Sequence, residues 1–308
     1  MKKRIAVLKG GWSAEREVSL VSGRECAKAL AGLGHEVREI DLTRDLEALV
    51  AALKPAPDVV FNALHGRGGE DGTVQAVLDF LRIPYTHSGV LASALAMDKP
   101  MAKAVFEAAG LPLAAGKVVA RTSLAVGDPL PRPFVVKPIN EGSSVGVLIV
   151  REGDDDGWRG EVAKWEFDRL LIEEFIPGRE ITVAVMGDRA LGVLEIQARG
   201  SFYDFDSKYA PGGSAHVVPA PIHPEAYARA MDIGLRAHQA LGCRGVSRAD
   251  LRYDDTKGDD EPGRLVLLEV NTQPGMTPTS LVPEIAAHAG IGFAELVRWM
   301  VENASCEG

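Results

Sequence analysis

The sequence predicts an α/β protein whose first part is built on a parallel β-sheet. Short apolar segments typical of buried strands alternate with helical segments along this part of the chain. Ser13 can cap the first helix, and Gly34 can end it. This alternation favours a parallel sheet that binds ligands at the carboxyl ends of its strands. The predicted strands are residues 4–8, 35–42 and 58–64, and the helices end near Leu33, Leu53 and Leu81.

The remaining elements divide the chain into further regions. A chain of 308 residues is long for one hydrophobic core, so we expect domains over residues 1–87, 88–178 and 179–308. A long polar segment at residues 198–221 is typical of a functional loop, and we predict a mobile lid at residues 202–213. Other predicted helices are residues 93–109, 225–241 and 293–303, and other predicted strands are 133–138, 145–150, 170–176, 180–185, 249–253 and 267–271.

Composition and charge exclude several classes of function. The net charge of −9 argues against nucleic-acid binding. No apolar run is long enough to span a bilayer, so we expect no membrane partner. Cys26, Cys243 and Cys306 lie far apart without a CxxC pattern, which favours the reducing cytoplasm and unreactive thiols. We therefore expect a cytoplasmic protein.

The strand at residues 267–271 carries a candidate metal site. Side chains alternate along a strand, so Glu269 and Asn271 share one face. The acidic stretch at residues 254–263 would fold the strand carrying Asp250 back against them. Carboxylate and amide oxygens suit Mg²⁺ rather than zinc. The alternative is that these carboxylates only solvate the surface of a sheet.

A glycine-rich hairpin provides a candidate phosphate site. Lys137 ends a predicted strand, and the loop at residues 140–144 follows it. Small residues let backbone N–H groups approach phosphate oxygens, and a lysine adds a positive charge. The strand–loop–strand order differs from a Walker motif, which is absent from the sequence. The alternative for Lys137 is an ordinary exposed lysine at a strand end.

A series of short motifs extends over nearly the whole length of the chain: GGWSAEREVS (10–19), HGRGGEDG (65–72), MDK (97–99), KP (137–138), EGSSVG (141–146), YD (203–204), KY (208–209), RAD (248–250), EVNT (269–272), PGMT (274–277) and SL (280–281). The series carries a resemblance to the D-alanine–D-alanine ligase family of the ATP-grasp superfamily. It implies a Rossmann-like N-terminal domain followed by a two-domain ATP-grasp fold. It also implies a homodimer that joins two D-alanines for peptidoglycan synthesis, using ATP and two Mg²⁺ or Mn²⁺ ions.

The resemblance implies roles for residues on the substrate side. Glu15 would receive the ammonium group of the first D-alanine, although a helix dipole alone would also favour an acid there. Arg248 and the backbone N–H of Gly275 would stabilise the oxyanion that forms during amine attack. His65 would lie near the carboxylate of the first D-alanine, unless it is a loop histidine packed against glycines. Ser143 and Tyr209 would complete a hydrogen-bonded catalytic group with Glu15, and the further implied substrate contacts are Lys208, Ser280 and Leu281.

The resemblance also implies a nucleotide site. Lys99, Lys137 and Ser144 would contact the phosphates. The metal ions, held by Asp250, Glu269 and Asn271, would bridge those phosphates. The implied contacts of the adenosine are Glu173 and Glu180 through their side chains, and Glu174, Phe175 and Ile176 through their backbone.

Two alternatives remain open at the level of the sequence. A ligase of the same family could join D-alanine to D-lactate or D-serine with the same ATP chemistry. The Lys208-Tyr209 pair resembles the dipeptide-forming members and argues against D-lactate. A protein that only senses ATP or D-alanine would be expected to lack Arg248 or a metal ligand, and all of them are present.

Overall fold

The computed structural model describes residues 2–142, 146–198, 214–258 and 261–307, which form three β-sheets. The first is the predicted parallel sheet, with strand order β2-β1-β3. Its strands carry continuous apolar runs because helices cover both faces of such a sheet. The elements are β1 (Arg4–Gly10), α1 (Arg16–Gly32), β2 (Glu36–Leu42), α2 (Leu46–Ala52), β3 (Val59–Asn62) and α3 (Thr73–Phe80).

The first helix begins differently from the prediction. Its N-cap is Glu15, which makes no side-chain capping hydrogen bond, so the prediction that Ser13 caps this helix is wrong. The Ser13 hydroxyl instead donates to the carbonyl of His65 over 2.7 Å and accepts the Glu15 N–H over 3.1 Å. Ser13 therefore joins two loops at the carboxyl edge of the sheet. The helix ends as predicted, with Gly34 at a φ of +87°.

The helix predicted at residues 93–109 is two helices, so that prediction is wrong in part. The chain bends at Asp98, whose carboxylate accepts the N–H of Met101 over 3.0 Å and caps the second helix. A four-stranded antiparallel sheet of order β4-β7-β5-β6 follows. The elements are α4 (Val90–Met97), α5 (Lys99–Ala108), β4 (Gly116–Ala120), a 3₁₀ turn (Arg121–Ala125), β5 (Phe134–Pro138), β6 (Leu148–Val150), α6 (Gly157–Val162) and β7 (Arg169–Glu174).

The last part of the chain forms an antiparallel sheet of order β10-β9-β8-β11-β12. Asp250 on β11 lies directly opposite Glu269 on β12, as the sequence predicts. Its elements are β8 (Arg179–Met186), β9 (Arg189–Ala198), β10 (Ser214–Val217), α7 (Pro224–Ala240), β11 (Val246–Asp254), β12 (Arg264–Asn271), α8 (Leu281–His288) and α9 (Phe293–Glu302). The segment predicted to be a lid, residues 202–213, lies outside the described residues.

The hydrophobic cores connect the sheets to one another. One buried cluster joins Val7 and Leu30 of the N-terminal sheet and helix to Ile285 and Leu296 of the last helices. The domain boundaries near residues 87 and 178 remain a prediction. Burial raises the pKa of the Cys26 thiol and raises that of Cys243 to about 12, as expected for unreactive thiols. Within the described part of the chain, no helix is both long and apolar enough to cross a membrane.

Candidate active site

A cleft of about 1070 Å³, measured with its open mouth, brings half of the predicted site residues together. Its lining comes from all three parts of the chain. Parallel strand ends supply one wall, the start of α5 supplies another, and β11 and β12 supply the floor. The predicted residues that line it are Glu15, His65, Lys99, Arg248, Asp250, Glu269, Asn271, Gly275, Ser280 and Leu281.

The predicted metal ligands lie on the floor of the cleft. Asp250 is buried and accepts two hydrogen bonds from Arg248, over 2.8 Å from Nε and 2.7 Å from Nη2. The Thr182 hydroxyl donates to the same carboxylate over 2.6 Å. Glu269 lies 3.1 Å from the Nζ atom of Lys99. Cationic side chains therefore balance both carboxylates in this structure.

The donors at this position fit a hard cation. Among the residues that the structure describes, no group of three or more His, Cys, Asp or Glu side chains could hold a metal ion. The predicted set instead combines two carboxylates with the amide of Asn271. The N–H of Gln273 donates to the Oδ1 atom of Asn271 over 2.8 Å, which fixes this amide. Two carboxylate groups and an amide oxygen without a nitrogen or sulfur ligand suit Mg²⁺ or Mn²⁺.

Glu15 enters the cleft between two glycines. A methyl group added to Gly66 would lie 3.0 Å from the Oε2 atom of Glu15, and one added to Gly142 would lie 3.5 Å away. Gly66 also has a φ of +69°, a conformation that side chains disfavour. These glycines leave room beside the carboxylate. Glu15 can therefore meet a small cationic group within the cleft.

His65 is buried beside Glu15 with both ring nitrogens in contact. Nδ1 lies 3.2 Å from the Oε1 atom of Glu70, and Nε2 lies 3.1 Å from the hydroxyl of Ser22. Burial lowers the pKa of His65, but the hydrogen bond and charge of Glu70, the charge of Glu15 and a hydrogen bond to the backbone of Gln273 together outweigh burial, so the pKa is raised. Ser22 and Glu70 were not among the predicted site residues. Glu70 belongs to the HGRGGEDG motif, which was a signal for it.

The predicted nucleotide side contains a buried cluster of two lysines and one acid. Lys137 and Lys103 each pair with a different oxygen of Glu173, which is only 4% exposed. Lys103 also donates to the carbonyl of Ala114 over 2.8 Å. Lys137 is buried, so it is not an ordinary exposed lysine. Lys103 was missed, although its position one helical turn after Lys99 places both on one face of α5.

The other predicted adenosine contacts lie at the end of β7, near the start of β8 and in the connection between these strands. Glu174 accepts hydrogen bonds from the N–H of Ala115 over 3.1 Å and from Arg264 over 2.6 Å. Glu180 on β8 lies 3.8 Å from Arg252. The roles of these acids, of Phe175 and of Ile176 remain predictions. The predicted site residues Ser143, Ser144, Lys208 and Tyr209 lie outside the described residues.

Glu173 gives a pH-dependent prediction for stability. Burial raises its pKa, but the charges of Lys137 and Lys103 outweigh burial, so the pKa is lowered from its model-peptide value of 4.5. A carboxyl group whose pKa is lowered in the folded state stabilises the fold at pH values above its unfolded pKa. This stabilisation is lost as the pH falls through the folded pKa. Glu173→Gln should lower the free energy of unfolding at neutral pH by roughly 2 kcal/mol. The deficit should shrink below pH ~4.5.

Urea unfolding at several pH values would measure this deficit. The control is Glu174→Gln, because Glu174 pairs with the half-exposed Arg264 at the surface. That substitution should cost less than about 1 kcal/mol. A deficit for Glu173→Gln that grows on acidification would contradict the assigned charge pairing.

The loop before α8 forms the last wall of the cleft. The Ser280 hydroxyl accepts the N–H of Thr277 over 2.9 Å and lies 2.8 Å from the Thr277 hydroxyl. A methyl group on Gly275 would lie 2.8 Å from the Oγ atom of Ser280. The backbone of Gly275 and the hydroxyl of Ser280 thus pack against each other without space for a side chain.

The resemblance implies that Ser280 contacts the second substrate, so Gly275→Ala should displace Ser280 and weaken binding of that substrate. Overpacking of this kind costs about 1–3 kcal/mol, so we expect a rise in the KM of that substrate. Gly32→Ala is the control, because a methyl group there would meet no atom within 4 Å. Steady-state kinetics would measure both variants, and an unchanged KM in Gly275→Ala would show that Ser280 does not contact that substrate.

The fold and the cleft define an ATP-grasp ligase. A parallel N-terminal sheet precedes two antiparallel sheets, and Lys99 from the middle part lies beside Glu269 at the end of β12 in the last sheet. The family model described as "D-ala D-ala ligase C-terminus" matches residues 105–302, and the one described as "D-ala D-ala ligase N-terminus" matches residues 46–88. The chain therefore belongs to the D-alanine–D-alanine ligase family.

Relatives and solved structures agree with this membership. A D-alanine–D-alanine ligase of Granulibacter bethesdensis is 61% identical over 99% of this chain and 98% of its own length. That of Paramagnetospirillum magneticum is 62% identical over 100% of both chains. The Bacillus anthracis ligase superposes with a TM-score of 0.82 at 32% identity, covering 97% of this chain and 96% of that one. The structure of that ligase complexed with ATP superposes with a TM-score of 0.81 at 31% identity, covering 98% of this chain and 97% of that one.

Proposed function

We propose that this chain uses ATP to join two D-alanines into D-alanyl-D-alanine, a precursor for peptidoglycan synthesis. One observation carries the proposal, which is that a single cleft contains all the charged groups that this reaction needs. Glu15 can meet an ammonium group, Lys99 can meet phosphates, and Arg248 lies beside the carboxylates of the proposed cation site. Both substrates are small zwitterions, so each charged end requires an opposite charge. The relatives' shared name supports D-alanine as both substrates over D-lactate or D-serine as the second.

The reaction proceeds in two displacements. A carboxylate oxygen of the first D-alanine attacks the γ-phosphorus of ATP, and ADP leaves with the electrons of the broken P–O bond. The amine of the second D-alanine then attacks the acyl carbon, phosphate leaves, and the amine loses a proton. Glu15 holds the ammonium of the first substrate, and its position beside Gly66 and Gly142 suits a small amino acid.

Asp250, Glu269 and Asn271 would hold two Mg²⁺ or Mn²⁺ ions, which neutralise phosphate charge while a carboxylate attacks it. Lys99 lies beside Glu269 and can turn to a phosphate oxygen from there. Arg248 is already fixed by two hydrogen bonds to Asp250. A guanidinium held in place before the oxyanion forms stabilises it without a cost of reorganisation. The backbone N–H of Gly275 would assist.

Measuring ADP release would test the proposed reaction. With D-alanine as the only amino acid, ATP and Mg²⁺, the protein should release ADP and phosphate in equal amounts with the dipeptide. Adding D-lactate or D-serine should yield little mixed product. No ADP release would indicate a protein that only senses its ligands, and preferred formation of a mixed product would indicate the alternative ligase.

The same family membership supports a homodimeric, cytoplasmic enzyme with no nucleic-acid partner. Phe80 at the end of α3 is 89% exposed, and Leu91 on α4 is 67% exposed. Aromatic side chains are enriched at protein interfaces, so Phe80 is a candidate contact between subunits. The mass of the protein in solution would test the dimer, and Phe80→Glu should shift it toward the monomer.

A further inference from the structure

The segment at residues 272–276 connects two parts of the proposed site. It begins directly after the metal-ligand candidate Asn271, and it contains Gly275. Thr272, Gln273 and Met276 are all buried. A buried segment without regular secondary structure needs specific hydrogen-bond partners for its polar groups. Those partners come from the N-terminal part of the chain.

The side chain of Gln273 is bound at both of its polar ends. Its Oε1 atom accepts a hydrogen bond from the Nδ2 atom of Asn62 over 2.7 Å. Its Nε2 atom donates to the carbonyl of Leu64. Asn62 is itself fixed, because Nδ2 also donates to the carbonyl of Gly69 over 3.1 Å and Oδ1 accepts the N–H of Leu64 over 3.2 Å. The amide of Gln273 is therefore held in one orientation at the carboxyl end of β3.

Backbone hydrogen bonds of the same segment connect the fixed side chain of Gln273 to the groups of the proposed active site. The N–H of Gln273 donates to the Oδ1 atom of Asn271 over 2.8 Å. At the other end, the N–H of Met276 donates to the hydroxyl of Ser22 over 3.2 Å. Gly275 lies between these two anchored points. The positions of Asn271 and Gly275 are thus both tied to the N-terminal sheet.

We propose that Gln273 is a positioning residue that aligns the metal-ligand and oxyanion groups with the pocket for the first D-alanine. The inference rests on the roles proposed above for Asn271 and Gly275. Leu64, the partner of Gln273, directly precedes His65, which lines the first-substrate side of the cleft. One buried amide therefore sets the distance between the two substrate pockets. Reacting groups require such a fixed distance, since a misplacement of about 1 Å can cost ~100-fold in rate.

Simple packing does not require these contacts. An apolar side chain of the same length would fill the space, but it would bind neither Asn62 nor the carbonyl of Leu64. Of the hydrogen bonds named above between this segment and the N-terminal part, the one from the Met276 N–H to Ser22 would remain, and the segment could shift about that point. Some residues do not touch the metal or the substrate but hydrogen-bond the groups that do. Loss of such a residue typically lowers metal affinity or rate by roughly 10- to 100-fold.

Gln273→Met tests the proposal, with Gln75→Met as the matched control. Gln75 is also a buried glutamine, and its Nε2 atom donates to the carbonyl of Gly69, to which Asn62 also donates. Its bond stays within the N-terminal part, so it fixes nothing in residues 272–276. The measurements on the full-length enzyme are kcat, the Mg²⁺ concentration at half-maximal rate, the KM of the first D-alanine, and the thermal midpoint.

We expect Gln273→Met to lower kcat and raise the half-saturating Mg²⁺ concentration, each by roughly 10-fold or more, with little change in that KM. Gln75→Met should leave these quantities near those of the wild type. Equal kcat and Mg²⁺ dependence in the two variants would overturn the proposal, even if both lose stability. If Gln273→Met does not fold, Gln273→Asn, whose shorter side chain draws the amide away from both partners, gives the same comparison with Gln75→Asn.

Asn271→Ala separates this inference from the proposed metal site. If it leaves the Mg²⁺ dependence unchanged, the metal assignment fails, and the proposal for Gln273 fails with it. If it impairs Mg²⁺ use while Gln273→Met behaves like the control, only the positioning role fails.

Discussion

Replacing Arg248 by alanine should lower kcat for dipeptide synthesis by roughly 10²- to 10³-fold while ATP affinity stays within a few-fold of the wild type. The loss corresponds to about 3–4 kcal/mol of transition-state stabilisation, the usual value of one preorganised donor to an oxyanion. Arg248 suits this role because Asp250 already fixes its guanidinium through two hydrogen bonds. Single-turnover rates and a direct titration with nucleotide would separate the two quantities.

Arg248→Lys provides the control for charge. It keeps a positive charge near Asp250 but loses the paired geometry of the guanidinium. It should recover part of the lost rate if charge contributes, and none if only the paired hydrogen bonds matter. A variant Arg248→Ala that turns over normally at saturating substrate but fails to bind nucleotide would assign Arg248 to the ATP site instead.

Glu269→Gln should produce a folded protein that has lost most of its phosphoryl transfer. Neutralising one carboxylate ligand weakens Mg²⁺ binding, and losses of roughly 10- to 100-fold or more in rate follow at ordinary Mg²⁺ concentrations. The variant also removes the partner of Lys99, which lies 3.1 Å from Glu269. Because the Glu269 side chain is 31% exposed, the fold should tolerate the change.

Glu284→Gln is the matched control for Glu269→Gln. Glu284 has a similar exposure of 35% and also pairs with a basic side chain, His216, at 2.8 Å. Glu284 is not among the residues that line the cleft. The kcat and the Mg²⁺ dependence of Glu284→Gln should therefore stay near those of the wild type. Near-normal turnover of Glu269→Gln at ordinary Mg²⁺ would remove Glu269 from the metal site.

Local sequence pattern determined most elements of this fold. The alternation of strands and helices predicts the parallel sheet, because burial on both faces requires continuous apolar strands. Strand periodicity places Glu269 and Asn271 on one face, and the fold-back of the acidic stretch places Asp250 opposite Glu269. These predictions succeed because each depends on residues close together in the chain.

Predictions that depend on a single local signal were less secure. Ser13 has the chemistry of a helix cap, but its hydroxyl binds the carbonyl of His65 instead. The helix predicted at residues 93–109 breaks at Asp98, because a capping carboxylate followed by Pro100 favours a new helix start. In both cases the residue type indicated a side chain that binds backbone groups, but it did not indicate which groups. A polar side chain can bind several different backbone groups.

The sequence by itself therefore determined the parallel sheet of the first part, the face shared by Glu269 and Asn271, and, through its motifs, the family to which the chain belongs. Only the tertiary structure decided which distant groups meet. It pairs Lys103 and Lys137 on one buried acid, and it joins Asn62 to Gln273 across 211 positions of the chain. Local periodicity carries no information about such contacts, because the packing of separate sheets, and not the spacing of residues, brings the partners within hydrogen-bond distance.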